Sequence, residues 1–416
     1  MSAASLDNPE AFPDGFDAID TPAFVYDERA MDRLIDRAGL LRADGRCRLL
    51  FAIKSFSFAP ALQVMAPRLD GFAASSLYEA RLARSVAGDG GTVHITTPGL
   101  RPDELDEIAS LCDYVAFNSL SQWDAMSRRL AGRTGRGLRV NPQLSFADDC
   151  RYDPCRLHSK LGAPLDELEA VLRSEPSRLD GVRGLLFHSN CDSRDFSQLR
   201  ATVERLRDRV PELLGRLDWV NLGGGYLFED DEGGPCAGLD ELCQTVDALR
   251  SEYGVEVFIE PGSGLIRAAG YLVASVLDLF RSGGATVAVL DTSINHMPEV
   301  FEYGFRPDVV GHEDDARHEY LLAGCTCLAG DLFGAYRFDR PVAVGDRMVF
   351  SSSGSYTMTK ASMFNGVALP SIYALTADGQ LVLQRSPSYA EFASRWGQAE
   401  PVGQGESSLL RDRASV

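Results

Sequence analysis

Leu49-Leu50-Phe51-Ala52-Ile53-Lys54 is an apolar run that ends in an amine. A short apolar run of this kind reads as a strand covered on both faces. Only three lysines, Lys54, Lys160 and Lys360, stand among the 41 basic residues of the 416-residue chain. Arginine replaces lysine as a surface charge but not as an amine nucleophile. A lysine closing a buried strand therefore invites a Schiff-base role. The plainer alternative is a strand-end lysine whose stem lies on apolar surface and whose ammonium reaches water.

Outward from this run, further strand-like segments follow at 71–76, 92–97, 114–118, 137–141, 184–188, 219–222 and 256–260, making 48–54 the first of eight. Helical patterns fill the intervals at 60–66, 77–86, 102–111, 121–130, 165–172, 196–210 and 239–253. This alternation predicts an α/β fold, a (β/α)8 TIM barrel, whose active face is formed by the carboxyl ends of the strands. The residues at those ends are chemically distinctive: Lys54, Ser75-Ser76, Asn118, His188, Gly223-Gly224-Gly225 and Glu260-Pro261-Gly262.

Beyond residue 271 the texture changes. Segments 271–280, 285–291, 318–325, 347–351 and 371–375 read as strands separated by turns, without helices of useful length. The expected organisation is a barrel over 28–270 and an all-β, β-barrel-like C-terminal domain over 271–390 joined by the early strand 21–27. Polar tails over 1–20 and 391–416 complete it, the last dozen residues frayed.

The composition, 45% apolar and 24% charged, is that of an ordinary soluble globular protein. No apolar stretch approaches the ~20 residues needed to cross a bilayer. Residues 1–20 show neither a basic start nor an apolar centre, so they do not read as a signal peptide, and a cytoplasmic setting is expected. The net charge of −19 argues against nucleic-acid and anionic-membrane partners and favours cationic ligands. Nine cysteines lie scattered, with Cys150/Cys155 and Cys325/Cys327 short of a four-ligand zinc pattern, and the six histidines are dispersed. Reduced thiols and no metal site are expected.

If Lys54 holds pyridoxal 5'-phosphate as an imine, the cofactor needs phosphate donors, a partner for its ring nitrogen and a group against its ring face. Gly223-Gly224-Gly225 offers backbone N–H groups without Cβ interference. Glu260 offers a carboxylate for the ring nitrogen, and His188 a flat ring to stack. Singly, each has a plainer reading: a turn, a carboxylate paired with a barrel arginine, a satisfied core histidine. Together at strand ends they form one constellation.

That constellation sits in a wider match. The segments Phe51-Ala52-Ile53-Lys54-Ser55-Phe56, Ser75-Ser76-Leu77-Tyr78-Glu79, Phe187-His188, Asn221-Leu222-Gly223-Gly224-Gly225 and Ile259-Glu260-Pro261-Gly262 belong to it. So do His296-Met297-Pro298-Glu299, Cys327-Leu328-Ala329-Gly330-Asp331, Gly354-Ser355-Tyr356-Thr357-Met358 and Phe364-Asn365-Gly366. The chain resembles the fold-type III, alanine-racemase-like pyridoxal-phosphate decarboxylases, and within them the carboxynorspermidine/carboxyspermidine decarboxylases. The resemblance runs from Thr21 to Ile372.

The resemblance implies that Lys54 carries the cofactor, His188 stacks on its ring and Glu260 pairs with its nitrogen. The phosphate falls to Gly223, Gly224, Gly225, the Gly262 loop and Tyr356. It implies a homodimer in which Cys327 and Tyr356 reach the barrel site from a second subunit, Cys327 acting as the acid that protonates the carbanion. A polyamine-like substrate carries remote ammonium groups, for which Asp331, Glu302 and Glu299 are candidate partners. Glu260-Pro261-Gly262-Ser263-Gly264 replaces the subfamily's Glu-Pro-Gly-Glu-Ala, and the Phe187–Asp192 and Glu302–Pro307 segments also depart from it. These changes lie near substrate-facing loops and leave open a diaminopimelate-, ornithine- or lysine-like amino acid.

Two other readings rank lower. A racemase of this fold usually has a catalytic tyrosine where this chain has Cys327. The small pyridoxal-phosphate homeostasis proteins are single barrels without a β-domain.

Overall fold

The computed structural model describes residues 15–398 except 89, 148, 231 and 232. Most of the two expected tails, 1–14 and 399–416, lies outside the described residues.

Eight parallel strands close into a barrel in chain order: Arg48–Ala52, Gly71–Ala74, Thr92–Thr97, Tyr114–Phe117, Gly135–Asn141, Gly184–Leu186, Trp219–Asn221 and Glu256–Ile259. Leu49 pairs with Ile259 where the last strand meets the first. The strands are the eight runs read from the sequence, several a residue or more shorter at their carboxyl ends. The first stops at Ala52, and Lys54 lies in a single 3-10 turn, Ile53–Ser55.

The barrel is filled unevenly along its axis. Leu50, Ala116, Leu186, Trp219 and Phe258 form a buried cluster inside it, with His94 stacked on Tyr114 at 4.3 Å and set edge-on against Phe258 at 4.6 Å. Trp219 is accommodated only because its neighbours lack side chains: a Cβ on Gly184 would lie 1.8 Å from the indole. Toward the carboxyl ends the wall carries small residues, Ala52, Ala73 and Ala74, which leave open space above the aromatic plug.

The helices follow their caps. Asp27 accepts from the N–H groups of Arg29 and Ala30 and starts helix Glu28–Gly39, which buries Met31, Leu34, Ile35 and Ala38. The sequence reading placed no helix there. It packs against residues 263–269, the position of the outer helix after the eighth strand. Ser76 caps helix Leu77–Ala87 by accepting from Glu79 N–H, while the Glu79 carboxylate accepts from Ser75 N–H at 2.6 Å. The Ser75–Glu79 motif is thus in large part a reciprocal helix cap.

The second sheet has eight strands. Its path runs Leu332–Phe338, His318–Ala323, Ala285–Leu290, Gly270–Ser282, Ala23–Asp27, Ser371–Leu375, Leu381–Arg385, and Arg347–Phe350 pairs beside it with Gly270–Ser282. Strand Ala23–Asp27 lies between Gly270–Ser282 (antiparallel) and Ser371–Leu375 (parallel). Two of these strands, Leu332–Phe338 and Leu381–Arg385, were absent from the sequence reading. The first contains Gly334, which interrupts its pattern, and the second is largely exposed, so neither shows a buried apolar run. Short helices at Glu299–Tyr303 and Tyr389–Arg395 also interrupt the expected all-β texture.

The sheet domain touches the barrel mouth at one very close crossing. Gly354 N–H donates to Arg267 O at 3.1 Å, and a Cβ on Gly270 would lie 2.1 Å from Gly354 Cα. This approach requires two glycines and leads the next residues directly onto the first barrel strand's turn.

Candidate active site

A cavity of about 460 Å³ opens at the carboxyl ends of the strands, with Lys54, His188, Glu260 and Arg139 on its wall. Lys54 is open to this cavity yet enclosed by the barrel around it. Enclosure lowers its amine pKa, and the facing Glu260 carboxylate opposes that shift.

Glu260 is 8% exposed. Burial raises its pKa, against the charges of Lys54 and Arg139 and a hydrogen bond from Asn221. That bond, Asn221 Nδ2 to Glu260 Oε2, is 2.9 Å long, and Asn221 Oδ1 in turn accepts Gly223 N–H at 2.8 Å. One fully buried asparagine therefore aims the carboxylate and fixes the start of the glycine loop. His188 Nδ1 accepts Gly224 N–H at 3.0 Å. Burial, with Lys54 and Arg139 nearby, holds its pKa well below the ordinary value, so the ring is neutral and its proton sits on Nε2.

The glycine loop has less to give a phosphate than the sequence suggested. Two of its three N–H groups serve Asn221 and His188; among the described residues only that of Gly225 has no acceptor. Glycine is required there for backbone approach as well: Gly225 has φ +87° and its Cβ would lie 2.1 Å from Asn190 O. Gly262 faces the Lys54 turn, where a Cβ would meet the Ser55 side chain at 2.9 Å.

Tyr356 corrects an expectation. It was assigned to a second subunit's site, but its N–H donates to Ser55 O of the same chain at 2.7 Å, and Ser355 Oγ lies 2.8 Å from Ser263 Oγ. The Gly270–Gly354 crossing delivers it there, so Tyr356 stands beside the Lys54 turn of its own barrel.

Cys327 is exposed and outside this cavity; Asn365 Oδ1 accepts its N–H at 2.8 Å. Asp331 is a second correction. It is 3% exposed, its Oδ1 accepts Ile294 N–H at 2.8 Å, and its Oδ2 accepts Thr326 N–H at 3.0 Å and the Thr326 hydroxyl. Its carboxylate organises its own loop and is unavailable to a substrate. Glu299 is also buried, at 7% exposure, and neither carboxylate oxygen has a geometric hydrogen-bond partner, Thr357 being its polar neighbour. Desolvation raises its pKa. Glu302 forms an ion pair with Lys360, which gives that rare lysine a role.

Three residues of the site escaped the sequence reading. Arg139, 9% exposed, carries a charge among the buried residues 137–141 of its strand. Burial lowers its pKa and Glu260 opposes this. Cys191 lies close enough to Lys54 for their charges to interact, and burial raises its thiol to about 12. Glu79, besides capping its helix, feels Lys54, with burial raising its pKa. Arg139 was visible as a charge in an apolar run; Cys191 and Glu79 gain their place only from folding.

The donor set fits pyridoxal phosphate: an amine, a buried carboxylate aimed by Asn221, a neutral imidazole with a fixed ring, and a free N–H at Gly225. Comparison with known proteins agrees. The family described as "Pyridoxal-dependent decarboxylase, C-terminal sheet domain" matches residues 23–354. The chain belongs to this family of pyridoxal-dependent decarboxylases. A carboxynorspermidine/carboxyspermidine decarboxylase of Herminiimonas arsenicoxydans is 34% identical over 381 residues, covering 90% of this chain and 99% of that protein. A carboxyaminopropylagmatine decarboxylase of Synechocystis sp. is also 34% identical, over 399 residues, covering 94% and 98%. The crystal structure of Campylobacter jejuni carboxynorspermidine decarboxylase complexed with norspermidine superposes with a TM-score of 0.81 at 29% identity, over 91% of this chain and all of that one. Among the described residues no helix of this decarboxylase is long and apolar enough to cross a membrane.

Proposed function

We propose that this enzyme decarboxylates a carboxylated polyamine, carboxynorspermidine or carboxyspermidine, to the polyamine and carbon dioxide. The observation that carries the reading is the convergence of Lys54, Glu260 and His188 on one cavity, in a chain with full-length relatives named for such substrates.

When bound, pyridoxal phosphate supplies an electron sink for the carbanion left as carbon dioxide departs. Lys54, its pKa lowered, would hold the cofactor through its amine. Glu260 would keep a proton at the ring nitrogen, with Asn221 aiming that carboxylate. His188 would cover a face of the ring. Gly225, the Gly262 turn and Tyr356 of the same chain would hold the phosphate.

The site is incomplete in one chain. Among the described residues the cavity wall carries Lys54, Arg139, Arg151, Arg156 and Lys160 against two acids, Glu260 and Asp153. Asp153 is engaged by Ser145 and by Cys155 N–H. Among the described residues lining the cavity a cationic tail finds no free carboxylate, and the thiol beside Lys54, Cys191, is held protonated by burial that raises its pKa to about 12. We assign tail recognition and carbanion protonation to a second copy of the chain, with Cys327 as the proton donor; Glu302, paired with Lys360 and held beside this chain's own cavity loop by Arg151, is not free for the tail. Cys327 lies beside exposed Leu328, near Phe364, on a surface to which Phe301 also contributes at 69% exposure. An apolar patch of this kind fits a homodimer face. A cytoplasmic setting belongs to the same proposal, supported by nine free cysteines.

The test is carbon dioxide release from carboxynorspermidine, carboxyspermidine, carboxyaminopropylagmatine, diaminopimelate, ornithine, lysine and arginine. Borohydride trapping of the cofactor on Lys54 accompanies it. Fastest release from carboxynorspermidine or carboxyspermidine is expected. Preference for carboxyaminopropylagmatine, supported by the equally similar Synechocystis relative, or for diaminopimelate would replace the substrate. Racemisation without carbon dioxide would overturn the activity.

A further inference from the structure

Between strand Gly135–Asn141 and helix Leu165–Ser174 the chain runs for some twenty residues with, among the described ones, only the two-residue strand Ala163–Pro164. Loops of that length inside compact domains are usually functional. This one supplies eight of the eighteen residues lining the cavity beside Lys54, so the position of the loop sets the position of the wall.

Its base is tied to the barrel. Asn118, at the end of the fourth strand, donates Nδ2 to Lys160 O at 2.8 Å and accepts Gly162 N–H at 3.0 Å. Its outer half is tied to the sheet domain by Arg151, which donates Nη1 to Glu302 O at 2.9 Å and Nη2 to Tyr303 O at 3.2 Å. Those carbonyls end helix Glu299–Tyr303, where no intrahelical donors remain and a cation is favoured. Tyr152 packs on Tyr303 with ring centroids 4.3 Å apart. From the other side Lys360 holds the helix through Glu302 and lies 5.1 Å from the Tyr303 ring centroid.

We propose that Arg151 is a positioning residue for the decarboxylation: it pins loop 142–162 onto helix Glu299–Tyr303 and so fixes one wall of the substrate cavity. The inference rests on the decarboxylase reading of that cavity. Arginine suits the task because its fork spans two carbonyls at once, which a lysine ammonium does not match.

Arg151→Met keeps the apolar stem and removes the donors. In the holoenzyme the cofactor absorbance and melting temperature should be unchanged, while KM rises roughly tenfold with kcat altered much less, the pattern of lost ground-state positioning. Arg151→Lys should recover part of the loss. Chymotrypsin cleavage after Tyr152, read by mass, should accelerate in Arg151→Met and in Tyr303→Leu, with no further acceleration in the double variant. Unchanged KM and cleavage in Arg151→Met would overturn the proposal, as would multiplicative effects in the double variant. Cleavage needs no turnover, so a protein inactive on every candidate substrate would refute the proposed activity while the latch is still judged by proteolysis.

Discussion

Asn221→Ala is the substitution that most directly probes how the site is held. The asparagine is fully buried and makes two hydrogen bonds, one to Glu260 at 2.9 Å and one from Gly223 N–H at 2.8 Å. Removing it leaves the Gly223 N–H without an acceptor and takes a donor from a buried carboxylate. A bond to a charged group contributes about 1.5–3 kcal/mol and an orphaned buried donor costs about 1–3 kcal/mol. A stability loss of about 3 kcal/mol is therefore expected in urea titrations of the holoenzyme, allowing for partial relaxation around the new space. The same bond favours the ionised form of Glu260, so its loss raises an already raised pKa. At 1.36 kcal/mol per unit the added shift is about one to two units. Activity that requires the Glu260 carboxylate falls as pH drops through its pKa, so the acid limb of the kcat profile should move up in pH by that amount. The Lys54 imine absorbance should persist. A loss of stability below about 1 kcal/mol, or an acid limb that does not move, would refute the reasoning.

Two more outcomes follow from the geometry. Lys54→Ala and Cys327→Ala should each be nearly inactive alone, yet equal mixing with subunit exchange should restore about a quarter of the wild-type activity, because a two-fold dimer of mixed subunits regains one complete site; no recovery would place Cys327 outside a shared site. His94, buried against Tyr114, has its pKa lowered from 6.5 to about 3. The unfolded chain therefore binds a proton that the native state refuses, and this part of the stability is present above pH 6.5 and lost as pH falls toward 3. His94→Phe should flatten the acid side of the stability curve by about 1.4 kcal/mol per pH unit. Since His188 and His296 remain in both proteins, parallel curves for variant and parent would refute the burial argument.

Much of the fold was legible in the chain. Parallel strands covered on both faces appear as continuous apolar runs, as 49–53 does, while 92–97, Thr-Val-His-Ile-Thr-Thr, shows itself by its β-branched residues. Leu381–Arg385 escaped because an exposed strand has no such run, and Glu28–Gly39 was passed over although Asp27 and the spacing of Met31, Leu34, Ile35 and Ala38 announce a capped amphipathic helix. Strand boundaries were overrun because the last apolar residues belong to turns, as at Ile53–Ser55.

The site divides in the same way. Lys54, His188 and Glu260 were visible because each ends a strand, and a closed barrel brings strand ends together whatever their separation in sequence. Residue type and spacing alone determined that much. The destinations of Asp331, Glu299 and Tyr356 were decided by tertiary structure. A carboxylate on a surface-like segment becomes a loop anchor when backbone N–H groups surround it. A tyrosine far along the chain reaches its own barrel because Gly270 and Gly354 allow two backbones to touch. Hydrogen-bond partners and close approach are properties of the folded arrangement, and no period or motif in the sequence carries them.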